Sequence, residues 1–381
     1  MAMFLSSPAI YGERVYGATC VLDPIGGNYG MLVCLDAGTG KVRWKLDSPA
    51  KDESFKPFFS SPALTADGKY LVIGQGLHDD ADSYLVCVDA QTGKLRWRIK
   101  TPLHIEGSPA VHGDMVVAGA GAIEGPDHKP MSDPGFLLAV RISDGKELWR
   151  YRVADPESSP AIAADGTVYI GSGFNGNAIV ALRSETDEQL AQKNLPRLIW
   201  RTPATFPIIG AITLADDMVI AAGGNGDYVY SDPRPAGIVM VLDARSGQVR
   251  WQKNMEDAVL GAVACRDGVL ICPIRNGHIV ALSVADGKEI WRQAVSGKSP
   301  VLAAPAFARG IIYAVSRDGY LAAIDARNTA AIKIERIFLN DEGKPAEREL
   351  SFSSPMVAGG RIFVGSETGG LRCYVGGKVV E

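Results

Sequence analysis

Five stretches of this chain read alike: LDAGTGKVRW (35–44), VDAQTGKLRW (88–97), VRISDGKELW (140–149), LDARSGQVRW (242–251) and LSVADGKEIW (282–291). A sixth copy is stretched, LRSETDEQLAQKNLPRLIW (182–200). Together they hold all six tryptophans, Trp44, Trp97, Trp149, Trp200, Trp251 and Trp291, at spacings of 53, 52, 51, 51 and 40. A second phrase opens each unit: SSPAI (6–10), SSPAL (60–64), GSPAV (107–111), SSPAI (158–162), IGAIT (209–213), LGAVA (260–264), AAPAF (303–307) and SSPMV (353–357). Eight openings at a period near 50 residues mark a propeller or solenoid. That displaces the two or three independent domains suggested by 381 residues at roughly 150 per domain.

Each unit parses into four short strands. In the second, Pro62–Thr65 is strand A, Tyr70–Gly74 strand B, Tyr84–Asp89 strand C and Lys94–Ile99 strand D. Apolar residues alternate in B and D and run almost unbroken in C, as in strands covered on one or both faces. Gly40, Gly93, Gly145, Gly247 and Gly287 share one turn position, where a hairpin needing φ > 0 selects glycine. Asp36, Asp89, Asp243 and Asp325 end strand C and are placed to accept hydrogen bonds from turn N–H groups. Such units cannot cover both faces alone, and a closed ring leaves none exposed. The reading is an all-β, eight-bladed propeller of four-stranded antiparallel blades spanning 1–381 as one domain. Blade 8 lacks an obvious fourth strand, so the N-terminal residues are expected to complete it and close the ring, alone or with the C-terminal tail. Blade 7 is degenerate, with Lys333 at the tryptophan position.

Composition fits this fold and excludes others. Apolar residues make up 46% and charged residues 22%, which is neither a disordered chain nor a coiled coil. The net charge of −4 leaves no basic surplus for phosphates, so nucleic acid is not an expected partner. No apolar run reaches the roughly 20 residues of a membrane helix. The best, Val301 to Val315, is broken by Pro305, Arg309 and Gly310. No signal peptide is visible, because Met1 to Leu5 lacks a basic segment and leads straight into strand-like sequence. Cys34, Cys87 and Cys373 share a repeat position with four alanines, which suits a tight core slot. Cys265 and Cys272 flank one hairpin, and whether they pair stays open.

The repeat A-x-D-x-x-T-G-x-x-x-W resembles the tryptophan-docking motif of the quinoprotein alcohol dehydrogenase-like (PQQ-like) propellers, and it covers Phe4 to Glu381. The resemblance implies the fold and a bacterial or archaeal, extracytoplasmic setting. It leaves activity open. The superfamily holds pyrroloquinoline-quinone (PQQ) dehydrogenases and also cofactor-free propellers, such as the lipoprotein scaffold of the outer-membrane barrel-assembly machine. In length and in lacking large insertions, this chain is more similar to the second group. The enzymes typically stack the quinone on a channel tryptophan, bind Ca²⁺ and carry a vicinal disulfide. Here no two cysteines are adjacent, and every tryptophan fits the docking slot. No cofactor is therefore expected, with PQQ and Ca²⁺ as the alternative.

Function is sought where the repeat is broken. The B–C and D–A connections vary and gather on one face of the ring, where binding residues usually sit. His78, Asp80 and Asp82 form an acidic stretch that suits either Ca²⁺ or a solvated loop. His104 and Glu106 precede strand A of blade 3, and His128 lies in the next insertion. If those loops converge, they approach His78 as metal ligands or an acid–base pair; otherwise they are separate exposed histidines. Tyr228 and Tyr230 are loop aromatics fit for a peptide or sugar contact, or for covering their own loop. Arg275 and Arg317 sit in short B–C turns, where they either bind an anion at the channel mouth or serve as polar turn residues. The expectation is a non-catalytic, monomeric scaffold that binds a protein or peptide through this face. The alternatives are an extracellular glycan ligand or a quinoprotein-like oxidoreductase.

Overall fold

Every opening phrase leads into the innermost strand of an antiparallel sheet. The computed structural model describes residues 2–22, 27–50, 53–78, 80–123, 131–297, 299–326, 331–339, 349–367 and 370–375. Eight sheets follow one another along the chain as blades of a propeller, seven of four strands and the last of three among the described residues. Blade 2 runs Ala63–Leu64, Tyr70–Gly74, Ser83–Asp89 and Leu95–Thr101, close to the expected strands. The C–D register skips one residue just before each tryptophan: Val88 pairs with Leu95 but Cys87 pairs with Trp97. This bulge re-aims the indole toward the next blade.

The apolar core lies between blades. One cluster joins Val72 and Leu85 of blade 2 to Val116 and Leu138 of blade 3. Each tryptophan bridges such a seam. Trp44, Trp97, Trp149, Trp200 and Trp251 donate Nε1 to the carbonyls of Ala90, Ile142, Ser184, Ala244 and Val284 in the following blade. Four of the indole rings lie flat against the next blade's turn glycine, where an added Cβ would sit 2.5–2.8 Å away. Asp36, Asp89 and Asp243 each accept turn N–H bonds as expected. The turn that would follow Asp325 lies outside the described residues.

The paired serines have two jobs. Ser60, Ser158 and Ser353 accept from the amides of Gly74, Gly171 and Gly365 in their own blades. The next serine links blades: the amides of Ser7, Ser61 and Ser108 donate to the hydroxyls of Ser61, Ser108 and Ser159 at 2.9–3.0 Å. The amide of Ser354 donates to Ser7 Oγ at 2.9 Å, so blade 8 meets blade 1 through the same bond as its neighbours.

That closure corrects one expectation. The N-terminal strand does not complete blade 8: Ala2–Met3 pairs with Cys20–Val21 of blade 1, and Phe4 lies beside Gly365 of blade 8 with its amide donating to the Ser366 carbonyl. The inner-strand contacts already join the ends, and Cys20–Val21 continues the B strand of blade 1 as a free edge for pairing. Cys373 is also corrected. It is exposed, because no fourth strand covers it among the described residues, whereas Cys34 and Cys87 are buried opposite Trp44 and Trp97. Cys265 and Cys272 are free thiols; Cys265 pairs with Leu270, which leaves Cys272 two residues further along the partner strand. In the stretched sixth copy the turn becomes a helix, Asp187–Lys193, with a Thr186/Gln189 capping box. Arg197, which follows the helix, covers Trp149 at 4.5 Å.

Candidate functional site

Aligning the blades by strand A reveals a collar. Four residues before each A strand stand Leu5, Phe59, Glu106, Glu157, Ile209, Leu260, Leu302 and Phe352, and all eight line one cavity of about 810 Å³. Two residues further on, Ser7, Ser61, Ser108, Ser159, Ala211, Ala262, Ala304 and Ser354 line it as well. The B–C loops add His78, Phe174, Tyr228, Arg317 and Glu367. The D–A and B–C connections thus meet around one opening. Six of the eight collar positions are apolar, and the two glutamates stand on neighbouring blades.

Those glutamates meet two histidines. His78 Nδ1 and His104 Nε2 lie 2.9 and 3.0 Å from the same Glu157 oxygen, and the imidazoles are 5.4 Å apart. His104 is fully buried and its Nδ1 has no hydrogen-bond partner. Burial pushes the Glu157 carboxyl up, but the hydrogen bonds from His104 and His78 outweigh it and hold the group below the usual carboxylate range. Burial alone would lower His104; the Glu157 bond and the Glu106 charge win and raise it. One donor atom from each of His78, His104 and Glu106 falls within 4.8 Å of the others, the one such group among the described residues. Gly121 makes room, since a Cβ there would sit 2.7 Å from His104 Nε2 and 2.8 Å from Glu157 Cγ.

The cavity also gathers three aromatic rings from blades 2, 5 and 8. Tyr228 packs edge-on against Phe59 and Phe352, with centroids 5.9 and 6.3 Å apart, and its hydroxyl donates to the Leu260 carbonyl. The Arg317 guanidinium lies 5.1 Å over the Phe352 ring, and its Nε is buried without a partner.

Of the residues singled out from sequence, His78, Glu106, Tyr228 and Arg317 line the cavity and His104 lies behind its wall. The rest do not line it. Asp80 binds Lys56 at 3.1 Å and accepts from the Leu77 amide, while Asp82 pairs with Lys100, so the acidic stretch divides between two lysines. Tyr230 is 73% exposed and outside the cavity. Arg275 is buried, with Nε donating to the Asp227 carbonyl, so it braces the loop that carries Tyr228. His128 lies outside the described residues. Sequence reasoning missed Glu157, Phe352 and the apolar collar. The available signal was the residue immediately ahead of each SSP phrase.

No tryptophan stands among the residues that line the cavity. Each indole sits at a blade seam. The lining sets Glu106, Glu157, Glu367 and Asp227 against Arg317 and the imidazole of His78.

Known proteins of two kinds resemble this chain. The chain is 22% identical to the outer membrane protein assembly factor BamB of Yersinia pestis over 96% of this chain and 83% of that one. It is 30% identical to the BamB of Xanthomonas campestris pv. campestris, covering 83% and 80%. A quinone-dependent alcohol dehydrogenase subunit of Acetobacter aceti is 27% identical over 59% of this chain, which spans only 30% of that protein. The crystal structure of BamB from Moraxella catarrhalis shares the fold, with a TM-score of 0.66 at 15% identity over 99% of this chain and 97% of that one. With residues 28–197 and 235–380 matched, the chain belongs to the PQQ_2 family, described as that of the outer membrane protein assembly factor BamB.

Proposed function

We propose that this chain is a non-catalytic, monomeric binding propeller that works outside the cytoplasm in outer membrane protein assembly and takes an extended protein segment across its loop face. One observation carries the reading: six apolar collar residues converge with Phe174 and Tyr228 on a cavity of about 810 Å³. An apolar concavity with a few polar groups on its wall suits the alternate side chains of an extended peptide. The relatives named as assembly factors point the same way. The glycan alternative finds less support, since Tyr228 meets Phe59 and Phe352 edge-on and those two rings are tilted against each other, so the three offer no flat platform.

The test is fluorescence anisotropy of the full chain with labelled peptides of alternating apolar and polar residues. Saturable binding should weaken at least tenfold in Phe59→Ala and Phe352→Ala. It should survive Val42→Glu, an exposed site on strand D outside the cavity. No binding, or equal loss in all three variants, refutes the proposal. So does dye-linked alcohol oxidation in the presence of PQQ and Ca²⁺.

A further inference from the structure

Two features of the His78–His104–Glu106–Glu157 cluster have no account in a peptide-binding collar. The first is its placement. Glutamates replace apolar residues at two of eight equivalent positions, on adjacent blades, and Glu157 meets two imidazoles brought by other connections. The second is its burial. Glu157 and His104 are withdrawn from water, and His104 Nδ1 has no partner. A buried Glu157 carboxylate with half-buried Glu106 on the neighbouring blade is costly unless positive charge offsets their desolvation and mutual repulsion. Protonating the histidines supplies some. A bound cation supplies more.

We propose that His78, His104 and Glu106, supported by Glu157, form a binding site for a borderline divalent transition metal of the zinc type at the wall of the cavity. The donor set selects the class. Imidazole nitrogens with carboxylate oxygen suit Zn²⁺ and its first-row neighbours, whereas Ca²⁺ and Mg²⁺ want oxygen throughout. The spacing agrees. Zinc bonds of about 2.0–2.2 Å place tetrahedral donors about 3.3–3.6 Å apart. The three donor atoms lie within 4.8 Å of one another, and both imidazoles already stand 2.9–3.0 Å from a Glu157 oxygen. Small side-chain rotations close the set. His78, Glu106 and Glu157 border the cavity, which gives the ion its entry path, and Gly121 keeps the space behind the donors clear. The site does not depend on peptide binding.

The experiment uses the untagged full chain, stripped with a chelator, and titrates Co²⁺ by its ligand-field absorption with Zn²⁺ as competitor. One equivalent should bind with a tetrahedral or five-coordinate spectrum, and Zn²⁺ should displace it. Glu106→Gln and His78→Gln keep size and leave buried His104 in place. Each should weaken binding about 100-fold or more, in line with or beyond the 10–100-fold typical of second-shell losses, with the tryptophan fluorescence of the fold unchanged. His112→Gln, on the blade 3 inner strand, should bind as wild type. No stoichiometric binding overturns the proposal, as does binding that survives both cluster variants or is lost equally in His112→Gln.

Discussion

The repeat contains its own controlled experiment on tryptophan docking. Gly40 and Gly93 occupy the same turn position with φ of +70° and +72°. A Cβ on Gly93 would sit 2.7 Å from the Trp44 ring, while one on Gly40 would meet nothing within 4 Å. Gly40→Ala therefore carries only the backbone cost of a left-handed alanine, about 1–2 kcal/mol. Gly93→Ala carries that cost plus overpacking against a ring fixed by its Nε1 bond to Ala90, about 1–3 kcal/mol more. For cooperative unfolding of 381 residues at ~2.1 cal/mol/K each, the entropy is about 0.8 kcal/mol/K. Gly40→Ala should then lower Tm by about 1–3 °C and Gly93→Ala by about 3–6 °C in calorimetry. In a Trp44→Ala background the extra cost of Gly93→Ala should vanish, leaving it equal to Gly40→Ala, since coupling is confined to the touching pair. Equal shifts for the two glycines in the wild-type background, or an excess that survives Trp44→Ala, would refute the argument.

Two further outcomes follow from the charges and thiols. Asp36 and Asp243 are held below the usual carboxylate range by Arg43 and Arg250, and Asp286 is held at about 2 by Lys288. Their folded pKa lies below the unfolded value near 4, so the stability they add is present above pH ~4 and lost as pH falls toward 2. Acid unfolding of the triple Asp→Asn variant should therefore depend less on pH in that window, and an unchanged acid profile counts against it. Cys373, exposed on blade 8, should react first with a thiol reagent under native conditions, while buried Cys20, Cys34, Cys87 and Cys272 wait for denaturant. Labelling and peptide mapping check the order; prompt reaction at Cys34 would contradict it.

The fold was legible because docking imposes the same demand on nearly every blade. An indole needs a turn carbonyl and a glycine opposite, and both recur in the sequence at fixed offsets. The exceptions were less legible for local reasons. The stretched sixth copy hid a seven-residue helix whose capping box outcompeted a hairpin turn. The N-terminal strand found the extended edge of blade 1, which no repeat pattern announces. At the site, His78 and Glu106 were visible as polar residues in converging loops. Glu157 was not, because it stands next to a serine pair that reads as structural. In blades 5 and 6 the opening phrase is offset by one residue from blade 1, which concealed that Ile209 and Leu260 match Leu5. Arg275 and Tyr230 misled because sequence gives their loop but not which way each side chain turns.

In a ring of eight equivalent units, what repeats is explained by the ring and what departs from it needs a separate cause. The linking serines hold blades 8, 1, 2, 3 and 4, while blades 5, 6 and 7 carry alanines there. The mouth therefore has a polar arc and an apolar arc. Glu106 and Glu157 stand in the polar arc, at positions where the fold accepts Leu, Ile or Phe six times over. Replacing a buried ionic cluster with well-packed apolar residues is often neutral or stabilising, so stability alone does not select these glutamates. Their two histidine partners arrive from different connections, and Gly121 leaves the space that lets them meet. Several changes away from the repeat thus converge on one point of the wall. That convergence favours a bound group over drift as the reason the cluster exists.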